Sequence, residues 1–492
     1  MSASCNLSVV LAAVAAAVMM ATSSLAEVTI DLREARPVET VSPMVLGLNL
    51  SYFNDLDEVW ETGDLAEVYR DAGIGALRYP GGEETSRFHW EHPGVTGYID
   101  LWNESHHDQS WQSVLVPKDQ WGTFEDHMDF DEFVRNARTV GAEPLVGINM
   151  SSGVKLDRVQ DSIDEAVRWM EYAKSKGYGI RYWYLDNEPW HTADHNYLHI
   201  PLERYAELCV RFARAMCEVD PDAKFIVNPL EGGHAGRWDH LGKFMAIAGD
   251  DIDVVSFHWY WEWGRGTWET WLASKPMRHS SKWTPYDQAL TYVEKVRRTR
   301  GQLAREGYDH VTVASTEWNI SSPKDDPADP TRVALMHAEM LMQFAEGGLE
   351  LACIWPGFWQ IKMVPGPSED RAWIDHAPPH RPKPALSVVR LLSAAAGGER
   401  LGGPGLSTET ATPTLAVRSA DGRTTHVFVL SKSSKPTPVE LSVAELGSAG
   451  SASATTYTQA TGDVAELDVE RVGGGVKATL PPFSLTRFDL AD

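Results

Sequence analysis

The stretch Arg181–His191, RYWYLDNEPWH, begins as a run of bulky aromatic and aliphatic residues and stops on Asp186, Asn187, Glu188 and Pro189. A short apolar run of this kind reads as a buried strand. The proline cannot donate to a strand ladder, so the strand must end there, with a carboxylate at its tip. Working outward, seven similar runs flank this one. MVLGLNL (44–50), ALRYPGG (76–82) and EPLVGINM (143–150) precede it. KFIVNPLEG (224–232), DVVSFHWYW (253–261), VTVASTEWN (311–319) and LACIWPGF (351–358) follow it. Helical patterns lie between them. The clearest, Leu202–Val219, repeats apolar residues at steps of three and four, and another, Asp164–Gly177, ends on a glycine stop signal. Eight buried strands alternating with helices predict an α/β fold, a (β/α)₈ barrel, in which Glu188 ends strand four. An open doubly wound sheet usually has fewer strands and often a Gly-rich first turn, and neither is seen.

The 492 residues exceed one ordinary compact core. The barrel is expected over 43–385. From 386 to 492 the texture changes to Gly, Ser, Thr and Val with period-two alternation, which predicts a C-terminal β-sandwich. Residues 27–42, containing VTIDLRE, are expected to add a strand to that sandwich before the barrel starts. Residues 1–26 read as a signal peptide: Leu7–Met20 is apolar, and Ser24-Leu25-Ala26 suits a cut before Glu27, although no Lys or Arg precedes the run. At about 14 residues the run is short of the ~20 a membrane span needs. The reading predicts a secreted or periplasmic protein with no membrane attachment after cleavage. Cys209 and Cys217, about 12 Å apart along one helix, are too distant for a disulfide, and with Cys353 they read as buried thiols.

A net charge of −25 disfavours nucleic acid and anionic membranes as partners and favours a neutral ligand. Nineteen tryptophans are a richness common where sugar rings are stacked, and equally compatible with a large core. Two connections are too long for simple crossovers. The one after strand two carries Trp90, Trp102, Trp111 and Trp121; the one after strand six carries Trp261, Trp263, Trp268, Trp271 and Trp283. Both should emerge at the C-terminal face of the barrel, where active sites are built.

Two carboxylates meet at that face. Glu188 ends strand four and Glu317 ends strand seven. Placed across the mouth, such a pair suits glycoside hydrolysis, one protonating the leaving oxygen and the other attacking the anomeric carbon. A rim salt bridge between Glu188 and Arg78 is the bland alternative. Arg78, ending strand two, can instead hold the nucleophile ionised. Asn187 can donate to a sugar hydroxyl, His258 and Tyr260 end strand six with the tyrosine in reach of the nucleophile, and Trp355 ends strand eight as a stacking face. Asn49, ending strand one, and Trp190 complete the candidate substrate-binding set. Metal chemistry is a poor fit: His106-His107 and DHAPPHRP match no ligand spacing. No Gly-rich phosphate loop and no Gly-x-Ser-x-Gly elbow appears.

These motifs resemble the clan of retaining (β/α)₈ glycoside hydrolases with acid/base on strand four and nucleophile on strand seven. SPMVLGLNLSY, LRYPGGEETSRFHWE, YWYLDNEPW, VVSFHWY and STEWNI look most like family 51, the α-L-arabinofuranosidases, with features of families 39 and 86. Asp186 stands where family 51 usually has glycine, and Asn49 where it usually has an acidic residue. The resemblance implies that Glu188 is the general acid/base and Glu317 the nucleophile of a double displacement, without metal or organic cofactor, on a plant or algal oligo- or polysaccharide. An arabinofuranosidase is the first expectation. An endo-acting β-glycanase, of agarase, porphyranase or xylanase type, is the second. A non-catalytic carbohydrate-binding barrel is the reading from another class.

Overall fold

The computed structural model describes residues 27–52, 55–61, 65–92, 100–103, 127–191, 198–229, 238–280, 284, 287–323, 329–358, 371–375, 379–443 and 450–491. The expected signal segment, His106-His107, Trp111, Trp121 and Trp283 lie outside them. No helix among the described residues is long and apolar enough to cross a membrane.

Eight parallel strands close into a barrel in chain order: β3 (Gly47–Asn49), β4 (Ala76–Tyr79), β5 (Glu143–Ile148), β6 (Tyr182–Leu185), β7 (Lys224–Val227), β8 (Val254–Trp261), β9 (Thr312–Ile320) and β10 (Ala352–Ile354), which pairs back with β3. All the strands but β9 are shorter than the apolar runs that announce them, because several runs continue into the turns of the C-terminal face. Met44, Ala76, Leu145, Tyr182, Tyr184, Ile226, Val254, Ala314, Leu351 and Cys353, most of them inward strand residues, form one buried cluster. Such inward layers fill a barrel rather than leave a pore. Gly147 is there to admit Tyr184: a Cβ on it would fall 2.4 Å from the tyrosine ring. Helices cover the outside. Leu202–Cys217 buries Tyr205, Leu208, Cys209, Phe212 and Met216, the face its periodicity predicts.

The C-terminal region is a sandwich of two mostly antiparallel sheets. The larger runs β16 (Asp463–Leu467), β15 (Ser451–Thr458), β19 (Ser484–Ala491), β13 (Thr424–Ser431), β12 (Thr414–Arg418), β11 (Glu399–Gly402), β2 (Arg36–Thr40). The smaller runs β1 (Val28–Asp31), β14 (Thr437–Ser442), β18 (Gly475–Leu480), β17 (Glu470–Val472). Both N-terminal strands thus sit in the sandwich, one in each sheet, where the sequence led us to expect a single strand.

Helix Pro330–Gly347 lies between barrel and sandwich and is buried from Val333 to Gly347, polar residues included. Those polar residues are all engaged. Glu339 accepts from the indole of Trp271 (2.7 Å) and the amide of Met277 (2.7 Å) and pairs with Lys432 of the sandwich at 2.5 Å, both charges fully enclosed. Glu346 accepts from the backbone and hydroxyl of Thr408 at 2.5 and 2.6 Å and pairs with Arg297 at 3.1 Å.

Candidate active site

The turn after β6 answers the question its sequence raises. The strand ends at Leu185, three residues before Glu188, earlier than the sequence suggests. Asp186 and Glu188 both take left-handed backbone, with φ of 64° and 46°. Each such residue costs of order 1–3 kcal/mol, so surrounding contacts must hold it. They do: the Asp186 carboxylate accepts from Ser86 Oγ (2.6 Å), Ser151 Oγ (2.7 Å) and the Asn187 amide (2.7 Å). Burial pushes the Asp186 carboxyl up, and these donors oppose it. Asp tolerates left-handed backbone better than most residues, which accounts for its presence where a glycine would otherwise be expected.

Glu317 lies within β9 and faces the mouth. Arg78 of β4 donates to its Oε1 at 2.9 Å, and the Tyr260 hydroxyl of β8 donates to its Oε2 at 2.8 Å. Burial pushes the Tyr260 hydroxyl well up, with Glu317 and Glu188 adding to the push, so it keeps the proton it donates. The Arg78 guanidinium lies over the Tyr184 ring, 4.1 Å from its centre, and also donates to Asn49 Oδ1 (2.8 Å) and Asn187 Oδ1 (2.7 Å). Asn49 in turn donates to the carbonyls of Thr316 (2.9 Å), Cys353 (3.2 Å) and Ile354 (3.0 Å). Arg78 and Asn49 are both buried, which sets them behind Glu317 as its support.

Across the mouth, Glu188 meets a histidine. His258 Nδ1 lies 2.6 Å from Glu188 Oε1 and 3.4 Å from Glu317 Oε2, and its Nε2 contacts the Thr316 hydroxyl at 3.1 Å. Burial pushes the Glu188 carboxyl up, but the charge and hydrogen bond of His258, with His191 and Arg78 behind them, hold it below its ordinary value. A ligand atom from each of Glu188, His258 and Glu317 lies within 4.8 Å of the others, and this is the one group among the described residues that could hold a metal ion. The guanidinium on Glu317 opposes a second cation there.

Every candidate site residue on these strand ends is thereby placed. Arg78 forms its salt bridge with Glu317, both side chains buried, and not with Glu188 at the rim. Trp355 packs its ring against Gly82, where a Cβ would meet the ring at 2.8 Å, so the second glycine after β4 makes room for it. Trp190 is half-buried and donates its indole N–H to Asn228 Oδ1 at 2.9 Å. The sequence reading missed Glu83. Burial pushes its carboxyl up to about 7, Glu188 and Glu317 add to the push, and Arg87 opposes it. Its signal was GGEE directly after the strand that carries Arg78.

Of the described loop tryptophans, Trp90 stacks on Trp169 at 5.8 Å, and Trp102 lies against His89 (4.3 Å) and Arg158 (4.3 Å). Trp261, Trp268 and Trp271 are core residues. On the rim, beside Trp102, His89 is clamped between Asp100 at its Nε2 (3.1 Å) and Glu165 at its Nδ1 (3.0 Å).

Comparison with known proteins agrees with this architecture. No family model matches. A probable α-L-arabinofuranosidase C from Aspergillus fumigatus is 29% identical over 197 residues, 36% of this chain and 34% of that protein, so the match takes in about a third of the relative's own length. The α-L-arabinofuranosidase of Thermotoga maritima, solved with arabinose, superposes with a TM-score of 0.68 at 17% identity, over 95% of this chain and all of that one (100%). A family 51 α-L-arabinofuranosidase from Bifidobacterium longum does so with a TM-score of 0.67 at 18% identity, over 94% of this chain and 99% of that one. In fold over nearly its whole length the chain is similar to α-L-arabinofuranosidases that include a family 51 enzyme, and in sequence over about a third of it to a probable α-L-arabinofuranosidase.

Proposed function

We propose that the chain is a retaining glycoside hydrolase of arabinofuranosidase type. The observation that carries the reading is the pairing of unlike carboxylates across the barrel mouth. Their nearest ligand oxygens lie within 4.8 Å, in keeping with the ~5–5.5 Å carboxyl separation of retaining enzymes and short of the ~6.5–9.5 Å that leaves room for a water in inverting ones. Glu317, with two donors on it, suits the nucleophile. Glu188 shares one proton with His258 across a 2.6 Å contact; because His258 holds its carboxyl below the ordinary value, Glu188 must draw that proton from the histidine side to serve as the acid.

In the first step Glu188 passes the proton it shares with His258 to the glycosidic oxygen as Glu317 attacks the anomeric carbon. The carbon–oxygen bond breaks and the leaving group departs as an alcohol. The charge on Glu317 is then spent in the glycosyl ester, and Glu188, now a carboxylate, takes a proton from water. The water oxygen attacks the anomeric carbon and frees Glu317, so the configuration is retained. Arg78 and Tyr260 steady the carboxylate before and after. No step calls on a metal or organic cofactor.

The arabinofuranosidase reading rests on the likeness in sequence to the Aspergillus relative. Its test is a panel of aryl glycosides, arabinan, arabinoxylan, xylan and agar with products sized by chromatography and the product anomer followed by NMR. Free arabinose of retained configuration is expected. A ladder of oligosaccharides without action on aryl arabinofuranoside would replace it with the endo-glycanase reading. We also propose that the protein is exported and cut before Glu27, on the apolar run Leu7–Met20. N-terminal sequencing of secreted material decides this, and a mature chain that keeps the run would point to an anchor.

A further inference from the structure

Trp263 is the exception among the described loop tryptophans: its neighbours in the fold pack inward, while it stays 65% exposed. A lone exposed apolar side chain is ordinary and needs no function. Here three further observations bear on it. The first is its place. Trp263 meets Tyr260 edge-on, ring centres 5.1 Å apart at 88°, and Tyr260 is the residue whose hydroxyl donates to Glu317. The exposed indole therefore stands one aromatic ring outward from the reacting carboxylate.

The second is how it is held. Trp263 follows Glu262, which takes left-handed backbone at φ 51° and is buried, its carboxyl accepting from Ser280 and from Arg265 at 2.9 Å. The turn closes through Arg265 N–H to the Glu262 carbonyl at 2.7 Å. Gly264 and Gly266 donate to the hydroxyl and carbonyl of Ser321 at 2.8 Å each. Ser321 follows β9, the strand that carries Glu317, and its amide donates to the Trp261 carbonyl at 2.9 Å. The turn that presents the indole is thus tied to the nucleophile's own strand. The third is the local pattern. Trp261, two residues earlier, is fully buried and donates to the Arg278 carbonyl at 3.0 Å, so it anchors the turn and leaves Trp263 no packing duty.

We propose that Trp263 is a stacking platform for a sugar unit of a chain substrate, the unit adjoining the one that reacts with Glu317. The reacting sugar must cover Glu317 and the Tyr260 hydroxyl, and the next unit then runs outward along the Tyr260 ring to the indole. A flat, apolar, rigid face with an N–H at its edge is the kind of surface that takes the C–H face of a saccharide ring. This inference rests on the glycosidase reading for its choice of ligand.

The test compares Trp263→Ala and Trp263→Phe with the wild type, on an aryl glycoside carrying one sugar and on the arabino-oligosaccharides and polysaccharides that the panel shows to be substrates. Retardation in gels cast with the polysaccharide supplies a binding readout that does not need turnover. For Trp263→Ala, kcat/KM on the chain substrates should fall roughly 10–100-fold, chiefly through KM, the range expected for truncating an anchor tryptophan. The loss on the aryl glycoside should be several-fold smaller, and Trp263→Phe should recover most of the difference. Equal losses on both substrates, or none on the chains, overturn the platform. A wild type that is retarded in the gel through Trp263 yet releases no sugar upholds the platform and overturns the glycosidase reading. Hydrolysis that is indifferent to Trp263 does the reverse.

Discussion

Two histidines in this molecule each touch two carboxylates, one in the barrel mouth and one on its rim, and they are wired differently. At the rim, His89 gives one ring nitrogen to Asp100 and the other to Glu165. Each carboxylate has its own proton to bind, and the ring is fixed as a cation: burial pulls its pKa down, but the two carboxylates raise it to about 9. In the mouth, both carboxylates face one nitrogen of His258, Glu188 at 2.6 Å and Glu317 at 3.4 Å, while the other nitrogen contacts the Thr316 hydroxyl. One proton position then serves two acceptors. Paired wiring makes a lock, and shared wiring leaves a proton that can be handed on. Arg78 and Tyr260 resolve the contest by satisfying Glu317, so that the proton on the histidine side belongs to the pair Glu188–His258.

The contrast can be broken at its strongest point first. Glu317→Ala should lower turnover of an activated aryl glycoside by roughly 10⁴-fold or more, as for an essential nucleophile. Azide should restore turnover as a glycosyl azide of inverted configuration; wild-type rates in the variant would end the assignment. Glu188→Gln should cost roughly 10²–10⁴-fold on poor leaving groups, much less on good ones, and should erase the basic limb of a bell-shaped rate profile. Equal losses on both kinds of leaving group would mean that Glu188 is not the acid.

The rim histidine sharpens the comparison through stability. A value raised to about 9 from the ordinary 6.5 means that the clamp's contribution is complete below about pH 6.5 and is lost as pH rises through about 9. His89→Gln should therefore destabilise by roughly 1–3 kcal/mol at pH 6 and by little at pH 10, measured by denaturant unfolding. A destabilisation independent of pH would show that His89 is held by packing and not by charge. The smallest effect is expected from Tyr260→Phe. It deletes one hydrogen bond to a charged group, about 1.5 kcal/mol or tenfold in kcat/KM. A kcat/KM equal to that of the wild type would mean that the hydroxyl adds nothing to Glu317.

Much of this was legible in the chain because barrel strands advertise themselves. Buried on both faces, they read as apolar runs, and residues at their C-terminal ends converge by geometry alone. That is how Glu188, Glu317, Arg78, His258 and Tyr260 could be gathered from positions over 200 residues apart. Wiring was less legible. By its place at a strand end Asn49 is a candidate to touch substrate, yet its side chain is consumed by Arg78 and three carbonyls, a role fixed by which strands are neighbours at the closure of the ring. Glu83 opens a single 3₁₀ turn after a glycine pair, too short for periodicity to tell which way a side chain points. The exposure of Trp263 depends on a turn tied to Ser321, about 60 residues away, and nothing in WYWEWGRG separates it from the buried Trp261 two places before.

The enclosed pair of Glu339 and Lys432 bears on how this protein can be cut and recombined. A sandwich lacking Lys432 would leave the Glu339 carboxylate enclosed with its Trp271 and Met277 donors but no cation, a loss on the order of 3–5 kcal/mol. The unit of domain exchange is therefore barrel and sandwich together. Swapping in a foreign sandwich requires a lysine delivered to the same carboxylate, or an apolar residue in place of Glu339 on the barrel side.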